Sequence, residues 1–349
     1  MIRRFAWILI VTALLVPFQN CTGGWSSRYG SGDKAEKSWN NLSGGQPYDG
    51  KPYVEPAQCP DGTLVGTRVV MRGGSATVYR EGCQTVAPRR IDASAISQVD
   101  GERIRYGTRT LEVERPAIPL PGVVSWFLQL TGILQPRPAS IYIVDMFGKS
   151  ASEISDLKRA GHTVICNISA GTVENWNPDA DQFLREEVGR SVPGGPGERY
   201  LDIRSSNVRQ IMLSRLNLAR DKGCHGIDFD STDGFVNNTG FPLTRENQLE
   251  YNTYLAFAAH DRGLILTLNA VPELASELAE FFDIAVAEQC FTYNECGAYE
   301  AFTSRAKPVL VVEYGAVSAR ECAQAKQSLL SLAYLNPELD GSRYETCPQ

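Results

Sequence analysis

The stretch Gly226-Ile227-Asp228-Phe229-Asp230 decides the fold of this chain. It follows a helical pattern that ends at Gly223, and its carboxyl end carries acids. Gly161 and Gly263 likewise stand where a predicted helix ends just before an apolar run, because a left-handed residue closes that turn. The repeated order of helix, glycine and strand predicts an α/β protein with parallel strands.

Outward from this stretch, near-continuous runs of Val, Ile and Leu recur from residue 123 onward. Ser150 with Glu153, and Thr244, predict helix caps between these runs. Eight strand–helix units predict a (β/α)8 TIM barrel over residues 122–349, with a doubly wound open sheet as the alternative. The predicted strands are Ser125–Leu130, Ile141–Met146, Thr163–Ile168, Tyr200–Ile203, Gly226–Asp230, Leu264–Asn269, Ile284–Glu288 and Val309–Tyr314.

The first 21 residues are typical of an export signal. Arg3 and Arg4 precede the apolar run Phe5–Val16, which is shorter than the about 20 residues that span a bilayer. Cys21 at the end of this signal resembles a bacterial lipobox, and ordinary cleavage with Cys21 as a plain thiol is the alternative. We expect an exported protein that is lipid-anchored through Cys21 to a bacterial membrane, the outer membrane above all.

Residues 22–122 divide into three parts by composition. Residues 22–52 are rich in Gly, Ser, Asn and Lys and predict a flexible tether. Residues 53–115 alternate polar and apolar side chains over short runs with glycine turns between them, which predicts a small β-rich module. The proline-rich segment 116–122 predicts a stiff linker to the barrel.

The charge and the histidines narrow the class of ligand. A formal net charge of -6 argues against nucleic acid as a partner and fits a cationic or neutral ligand. The three histidines, at positions 162, 225 and 260, do not lie at ligand spacing from one another, so no histidine metal site is expected. No GxSxG motif occurs, which argues against a serine triad, and no cofactor is expected.

The cysteines predict a disulfide framework, because the chain is expected in an oxidising compartment. Of the nine cysteines, setting Cys21 aside leaves an even number. Cys166 and Cys224 fall in or beside apolar runs, where buried free cysteines are common. Local spacing pairs the others as Cys59–Cys83, Cys290–Cys296 and Cys322–Cys347.

Acidic residues collect where the predicted strands end. Asp145 ends the second strand, Asp228 and Asp230 the fifth, Glu288 the seventh and Glu313 the eighth. The carboxyl ends of the strands carry the chemistry of TIM barrels, and buried charges are costly unless they are paired. Glycoside hydrolysis needs two carboxylates on different strands, because one protonates the leaving oxygen while the other attacks carbon or activates water.

Two other interpretations of these acids stay open. A single acid at the end of a strand is about as often structural as catalytic, and Asp233 before Gly234 is expected to order a turn. A magnesium ion held by Asp228 and Asp230 is the second alternative. No glycine-rich phosphate loop accompanies these acids, so sugar chemistry is favoured.

Ordered motifs run through the barrel region. They are Val164–Gly171 with Glu174 and Trp176, Gly197–Ile203, Gly226–Phe235, Ala258–His260, Asn269-Ala270, Glu288–Cys290 with Tyr293–Cys296, and Pro308-Val309 with Glu313-Tyr314. Together they resemble the endo-α-1,4-polygalactosaminidases, glycoside hydrolase family 114, over roughly residues 122–347. Phe229, Ser231 and Asn177 depart from the family's usual residues, and none of them removes a catalytic carboxylate.

The resemblance implies an endo-acting, retaining hydrolase of α-1,4-linked galactosamine polymers. Asp230 takes the place of the nucleophile and Glu288 that of the general acid/base, whose pKa a neighbouring acid or partial burial should raise. Cys290 and Cys296 match the family's paired cysteines, which would fix the loop that carries Glu295. The residues expected to line the subsites are Asp145, Glu174, Asp228, Asn269, Glu295 and Glu313.

The expected substrate is a cationic amino-sugar polymer, because an acid-rich cleft concentrates ammonium groups. Trp126 and Trp176 are expected either to stack on sugar faces or to pack in the protein. The alternatives are a non-catalytic polysaccharide-binding lipoprotein, a hydrolase of another amino-sugar glycan, and an adhesion protein that binds through residues 53–115.

Overall fold

The computed structural model describes the backbone of six strands between residues 68 and 113, and residues 120 and 122–347 with their side chains. The predicted signal segment, Cys21, the tether and the Cys59–Cys83 pair lie outside the described residues. The export, anchoring and domain boundaries of the amino-terminal part therefore stay predictions.

The six amino-terminal strands form one sheet in the order β3-β2-β1-β6-β5-β4. The central strands β1 and β6 run parallel, and each of the other neighbouring pairs is antiparallel. Two antiparallel three-stranded units are thus joined side by side. The strands are β1 Arg68–Arg72, β2 Ser75–Glu81, β3 Gln84–Ile91, β4 Ile96–Gln98, β5 Arg103–Tyr106 and β6 Arg109–Val113.

Residues 122–347 contain a second, larger sheet and a small third one. The third sheet has the order β10-β12-β11 and is antiparallel. The strands of both sheets are β7 Trp126–Gln129, β8 Ile141–Asp145, β9 Thr163–Ser169, β10 Thr172–Glu174, β11 Val188–Ser191, β12 Glu198–Leu201, β13 Gly226–Asp230, β14 Ile265–Asn269, β15 Ile284–Glu288, β16 Val309–Glu313, β17 Ser331–Leu335 and β18 Tyr344–Thr346.

The larger sheet forms a nearly closed barrel of eight parallel strands in the order β7-β8-β9-β13-β14-β15-β16-β17. Strand β17 meets β7 at the seam, where Trp126 Nε1 donates to the carbonyl of Ser331 at 2.7 Å. Strand β18 is added antiparallel to β17. The predicted TIM barrel is confirmed, and its core consists of the fully buried apolar residues of these strands.

One of the eight predicted barrel strands was wrong. Residues 198–201 form β12 of the small antiparallel sheet, whereas the eighth barrel strand is Ser331–Leu335. Tyr200 and Leu201 are buried like barrel residues, so their apolar pattern could not reveal which partner they pair with. The barrel position of each later strand shifts accordingly, and Asp230 lies on the fourth barrel strand, Glu288 on the sixth.

The helices begin and end largely as their caps predict. Ser150 and Glu153 form a capping box, and the Thr244 side chain accepts from the backbone N–H of Asn247. Gly223 ends a helix with a φ of 88°, the left-handed region expected of it. Within the described residues, no helix is long and apolar enough to cross a membrane. The helices are α1 Ala151–Arg159, α2 Ser206–Lys222, α3 Arg245–His260, α4 Ala275–Leu278, α5 Glu300–Thr303 and α6 Ala319–Gln327.

Three disulfides join described residues. The predicted pairs Cys290–Cys296 and Cys322–Cys347 are confirmed. The sequence left the pairing of Cys166 and Cys224 open, and the two form a disulfide across 58 residues of sequence, with Cα atoms 6.0 Å apart. Cys224 precedes β13, which pairs with the β9 strand that carries Cys166, so the barrel itself brings them together.

Candidate active site

Strand β13 carries two carboxylates at different depths. Asp228 is fully buried, and its carboxylate accepts from Asn167 Nδ2 at 2.8 Å, from Asn269 Nδ2 at 3.0 Å and from the Thr267 hydroxyl. Burial raises the pKa of Asp228 to about 6, against the opposing effect of these hydrogen bonds. Asp228, which the sequence predicts to line a subsite, is thus buried at the end of β13 and bound to three neighbouring polar side chains.

Asp230, two residues further on, lies half-buried on the same side of the strand. One of its carboxylate oxygens accepts from the backbone N–H of Ser231 at 2.6 Å. Its negative charge contributes to the raised pKa of Asp228, so the two carboxylates lie within electrostatic reach of each other. Of the two, Asp230 is the one with exposed surface at the rim of the barrel.

The backbone turns sharply after three neighbouring strands that carry site residues. Ser231, Ala270 and Gln289 follow Asp230, Asn269 and Glu288 directly, and their φ values are 60°, 50° and 53°. Non-glycine residues adopt this left-handed region rarely, and such strain clusters at functional sites.

Two loops at the rim of the barrel approach each other closely at Gly171 and Ser231. A Cβ added to Gly171, in the loop after β9, would lie 1.8 Å from the carbonyl oxygen of Ser231. Only glycine fits at position 171 with this backbone. The loops after β9 and β13 therefore pack directly against each other beside Asp230.

Glu288 ends β15 and is half-buried. The hydroxyl of Tyr314 donates to Glu288 Oε1 at 2.6 Å. Nearby, burial raises the pKa of the buried Tyr299 well above its usual value, and four surrounding carboxylates raise it further. We call these four carboxylates the Tyr299 cluster. They are Asp233 after β13, Glu273 after β14, Glu288 at the end of β15 and Glu295 after β15.

A second group of acids surrounds Glu174, at the end of β10. Burial raises the pKa of Glu174 to about 7, and the charges of Glu198, Asp230 and Asp145 raise it as well, whereas a hydrogen bond from Asn177 Nδ2 at 2.6 Å lowers it. Glu174 and Glu198 lie directly opposite each other on β10 and β12. We call Asp145, Glu174, Glu198 and Asp230 the Glu174 cluster. Like charges placed opposite one another destabilise a sheet, so this pair costs stability.

Asp145 belongs to this cluster through its position at the end of β8. Its carboxylate accepts from the backbone N–H of Gly148, and burial raises its pKa while Gly148, Lys222 and Lys149 lower it. The structure thus brings together Asp145, Glu174 and Asp230 as the sequence predicted, and Glu198 joins them.

Three other predicted residues take supporting positions. Asn269 is buried and donates to Asp228. Glu313 is 2% exposed and accepts from the backbone N–H of Phe291 at 2.8 Å and the hydroxyl of Thr292 at 2.7 Å. It therefore anchors the loop after Glu288, and burial raises its pKa. Glu295 lies in that loop, beside the confirmed disulfide, where its backbone N–H donates to the Cys290 carbonyl at 2.8 Å.

The two predicted tryptophans lie in different environments. Trp176 is 60% exposed and follows Glu174 by two residues, and part of its ring lies against Gly197. Trp126 is 2% exposed at the amino end of β7 and donates to Ser331. Of the two roles expected for Trp126, the structure therefore gives packing.

Helices behind the rim hold its loops in place. Tyr251 on α3 donates to the carbonyl of Ala170 at 2.7 Å, and Asn252 donates to the carbonyl of Thr232 at 3.1 Å. Arg215 on α2 is 1% exposed and binds Asp179 through two hydrogen bonds of 2.7 and 2.9 Å. These buried polar contacts fix the loops on both sides of Asp230.

Sequence patterns had not singled out five residues of this arrangement as site residues. Asn167 and Thr267 are the register partners of Asp228 on the two neighbouring strands, so only strand pairing reveals them. Tyr299, between β15 and β16, and Tyr314, directly after β16, look like ordinary aromatic residues in the sequence. Glu198 lay in a segment predicted to lead into a barrel strand. Within the described residues, no group of three His, Cys, Asp or Glu side chains is arranged to hold a metal ion.

The chain matches the model of glycoside-hydrolase family GH114 over residues 108–348. It belongs to this family. The predicted family and the predicted glycoside hydrolase are therefore confirmed. No curated protein matches the chain.

Two solved structures of glycoside hydrolases resemble this GH114 chain. It is 36% identical to Aspergillus fumigatus Ega3 in complex with galactosamine, with a TM-score of 0.62 over 65% of this chain and 96% of that chain. The glycoside hydrolase domain of PelA from Pseudomonas aeruginosa shares 16% identity, with a TM-score of 0.50 over 65% of this chain and 98% of that chain. The second likeness shows the fold alone.

Proposed function

We propose that this GH114 barrel cleaves α-1,4-linked galactosamine polymers internally and with retention, with Asp230 as nucleophile and Glu288 as general acid/base. The observation that carries the proposal is the pair of acid clusters at the rim, each of which contains one of the two carboxylates. The resemblance to Ega3, whose structure holds galactosamine, supports the choice of sugar.

The strand order suits a double displacement. Asp230 and Glu288 end strands β13 and β15, which flank β14. Two strands with a common neighbour lie about 10 Å apart. A retaining pair needs its carboxyl groups roughly 5 Å apart, so the proposal requires the side chains of Asp230 and Glu288 to reach inward toward each other.

Each carboxylate then has one task in each step. Asp230 attacks the anomeric carbon as Glu288 gives its proton to the glycosidic oxygen, and the carbon–oxygen bond breaks with its electron pair on the leaving sugar. Glu288, now ionised, takes a proton from water, which attacks the glycosyl–Asp230 ester and releases the product. The raised pKa expected of Glu288 stays a prediction.

The Glu174 cluster supports a cationic substrate. Burial raises the pKa of Glu174 to about 7, and repulsion from the carboxylates of Glu198, Asp230 and Asp145 adds to this rise. An ammonium group bound there relieves the repulsion and favours ionised Glu174. Deacetylated galactosamine carries one ammonium on each sugar, so the cluster favours the deacetylated polymer over a neutral one. The anchoring of the enzyme to a membrane through Cys21 is a separate proposal, which rests on the sequence alone.

The test is turnover of deacetylated α-1,4-galactosamine polymer by the full chain and its Asp230→Asn and Glu288→Gln variants. We expect each substitution to lower the rate of oligosaccharide release by about 10³-fold, because each removes one reacting group. The first-formed reducing ends should be α-anomers, measured by proton NMR.

Matched controls separate chemistry from folding. Asp156→Asn and Glu277→Gln make the same chemical changes at exposed positions and should keep full activity. Equal activity of wild type and Asp230→Asn would reject the nucleophile, and β-anomers would reject retention. Faster cleavage of the fully N-acetylated polymer would reject the cationic substrate.

A further inference from the structure

Glu313, the last residue of β16, and Tyr314, which follows it, hold the segment that carries Glu288. Glu313 accepts from Phe291 and Thr292 in the loop that follows Glu288. Tyr314 donates its hydroxyl to Glu288 Oε1 itself, at 2.6 Å. The end of one strand thus fixes both the backbone and the carboxyl group of its neighbour.

Tyr314 is itself tied down from the other side. Arg343 Nη1 donates to the Tyr314 carbonyl at 3.1 Å, and Arg343 Nε binds Glu345 at 2.6 Å. Arg343 directly precedes β18, which pairs with β17. The disulfide Cys322–Cys347 joins the end of this hairpin to α6.

We propose that Tyr314 is a positioning residue for Glu288, an inference that rests on the proposed role of Glu288 as general acid/base. The hydroxyl of Tyr314 donates to Glu288 Oε1, and in the proposed mechanism Glu288 Oε2 carries the catalytic proton. Tyr314 keeps its own proton throughout. In the first step the Oε2–H bond breaks, the proton passes to the glycosidic oxygen, and the Glu288 carboxylate is left with the Tyr314 hydrogen bond.

The contribution of this bond grows along the reaction. A hydrogen bond to an ionised carboxylate is shorter and stronger than one to a neutral carboxylic acid. Negative charge develops on Glu288 as its proton leaves, so Tyr314 stabilises the transition state more than the bound substrate. Such an interaction raises kcat and leaves KM unchanged.

Tyr314 also counters the surroundings of Glu288. Glu288 belongs to the Tyr299 cluster, whose four carboxylates all act on Tyr299. Like charges gathered in one place disfavour the ionised form of a carboxyl group. A donated hydrogen bond favours the ionised form. The charged or titratable groups on the elements next to Glu288 include Tyr293, Glu295 and Tyr299 after β15, Glu273 after β14, Asp233 after β13, Glu313 and Tyr314 at the end of β16, and Arg343 beyond them.

The experiment compares Tyr314→Phe with wild type in the full chain. We expect kcat on deacetylated galactosamine polymer to fall about tenfold with KM unchanged. The alkaline limb of the kcat/KM profile should move to higher pH by roughly one unit, because the ionised form of Glu288 loses a donor.

Tyr334→Phe is the matched control. Tyr334, on the next strand, donates to Glu321 Oε2 at 2.8 Å, so the variant loses the same kind of bond to a glutamate on α6. It should leave the pH profile in place. Equal pH profiles for wild type and Tyr314→Phe, or an equal displacement in Tyr334→Phe, would overturn the proposal.

A second measurement decides the matter without turnover. Carboxyl ¹³C NMR titration, with the Glu288 resonance assigned by its loss in Glu288→Gln, should show a higher Glu288 pKa in Tyr314→Phe than in wild type. An unchanged Glu288 pKa would overturn the positioning role even if the polymer is cleaved. A raised pKa in a protein that cleaves no galactosamine polymer would reject the proposed substrate and keep the link between Tyr314 and Glu288.

Discussion

The two ends of the barrel use carboxylates in opposite ways. At the amino end, Asp283 Oδ2 accepts from His260 Nε2 and from the backbone N–H of Leu266, both at 3.0 Å, and Lys307 Nζ donates to the carbonyl of Phe282 at 2.6 Å. All three histidines lie at this end, in the segments that precede β9, β13 and β14. Ionisable side chains here bind the backbone and each other.

At the carboxyl end, the donors described for the site carboxylates are neutral. Asp228 binds two amides and a hydroxyl, Glu288 binds a tyrosine, and Glu174 binds Asn177. Neutral donors compensate burial only partly, and the pKa values of Asp228 and Glu174 are raised accordingly. The amino end thus favours stability, whereas the carboxyl end keeps negative charge available for a substrate at a cost in stability.

The largest expected effect on the free energy of unfolding is that of Arg215, the buried cation behind the carboxyl end of the barrel. Arg215→Met should lower the free energy of unfolding by about 3–5 kcal/mol, because Asp179 and the Ser169 carbonyl lose their charged partner in the interior. Urea denaturation measures it. The control Arg204→Met breaks the surface pair with Asp202 and should cost less than about 1 kcal/mol. An equal loss of stability in Arg215→Met and Arg204→Met would mean that the buried ion pair of Arg215 does not stabilise the loops at the rim.

A matched pair of substitutions tests the two ends directly. Asp228→Asn should raise the free energy of unfolding by about 1–3 kcal/mol at about pH 8, because the folded-state pKa near 6 makes ionised Asp228 unfavourable. The amide oxygen can accept from Asn167 and Asn269, and the Thr267 hydroxyl can accept from the amide nitrogen. This stabilisation should vanish at about pH 4, where Asp228 is largely protonated in the folded state.

Asp283→Asn makes the same change at the amino end and should have the opposite sign. We expect a loss of about 1 kcal/mol at the same pH, because the bonds from His260 and Leu266 lose their charged acceptor. Urea denaturation at both pH values measures the pair. The same sign for both variants would contradict the contrast between the ends.

A smaller change in the free energy of unfolding is expected for Glu174→Gln. Its raised pKa means that wild type loses stability as the pH rises from about 4.5 to about 7, so Glu174→Gln should be about 1 kcal/mol more stable at about pH 8 and equally stable at about pH 4. The control Glu153→Gln removes a capping carboxylate with a lowered pKa, and should lose stability above its pKa instead. A pH-independent difference for Glu174→Gln would show that no burial penalty exists there.

Much of the fold and of the site could be predicted from local pattern. The strand Gly226–Asp230 and its acids were found because an apolar run that ends in carboxylates is visible in five residues. The caps at Ser150 and Thr244 were equally local. The disulfide Cys290–Cys296 spans six residues, so chain proximity alone indicates the pair.

By itself, the sequence determined which segments are apolar, where each ends, and which ends carry acids. Only the tertiary structure decided which segments pair: it placed β12 outside the barrel, chose Ser331–Leu335 as the closing strand, joined Cys166 to Cys224 and set Tyr314 on Glu288. An apolar pattern encodes burial but not the partner, since the partner depends on contacts between residues far apart in the chain. The depth of each carboxylate, and with it the pKa values of Asp228 and Glu174, follows from those contacts.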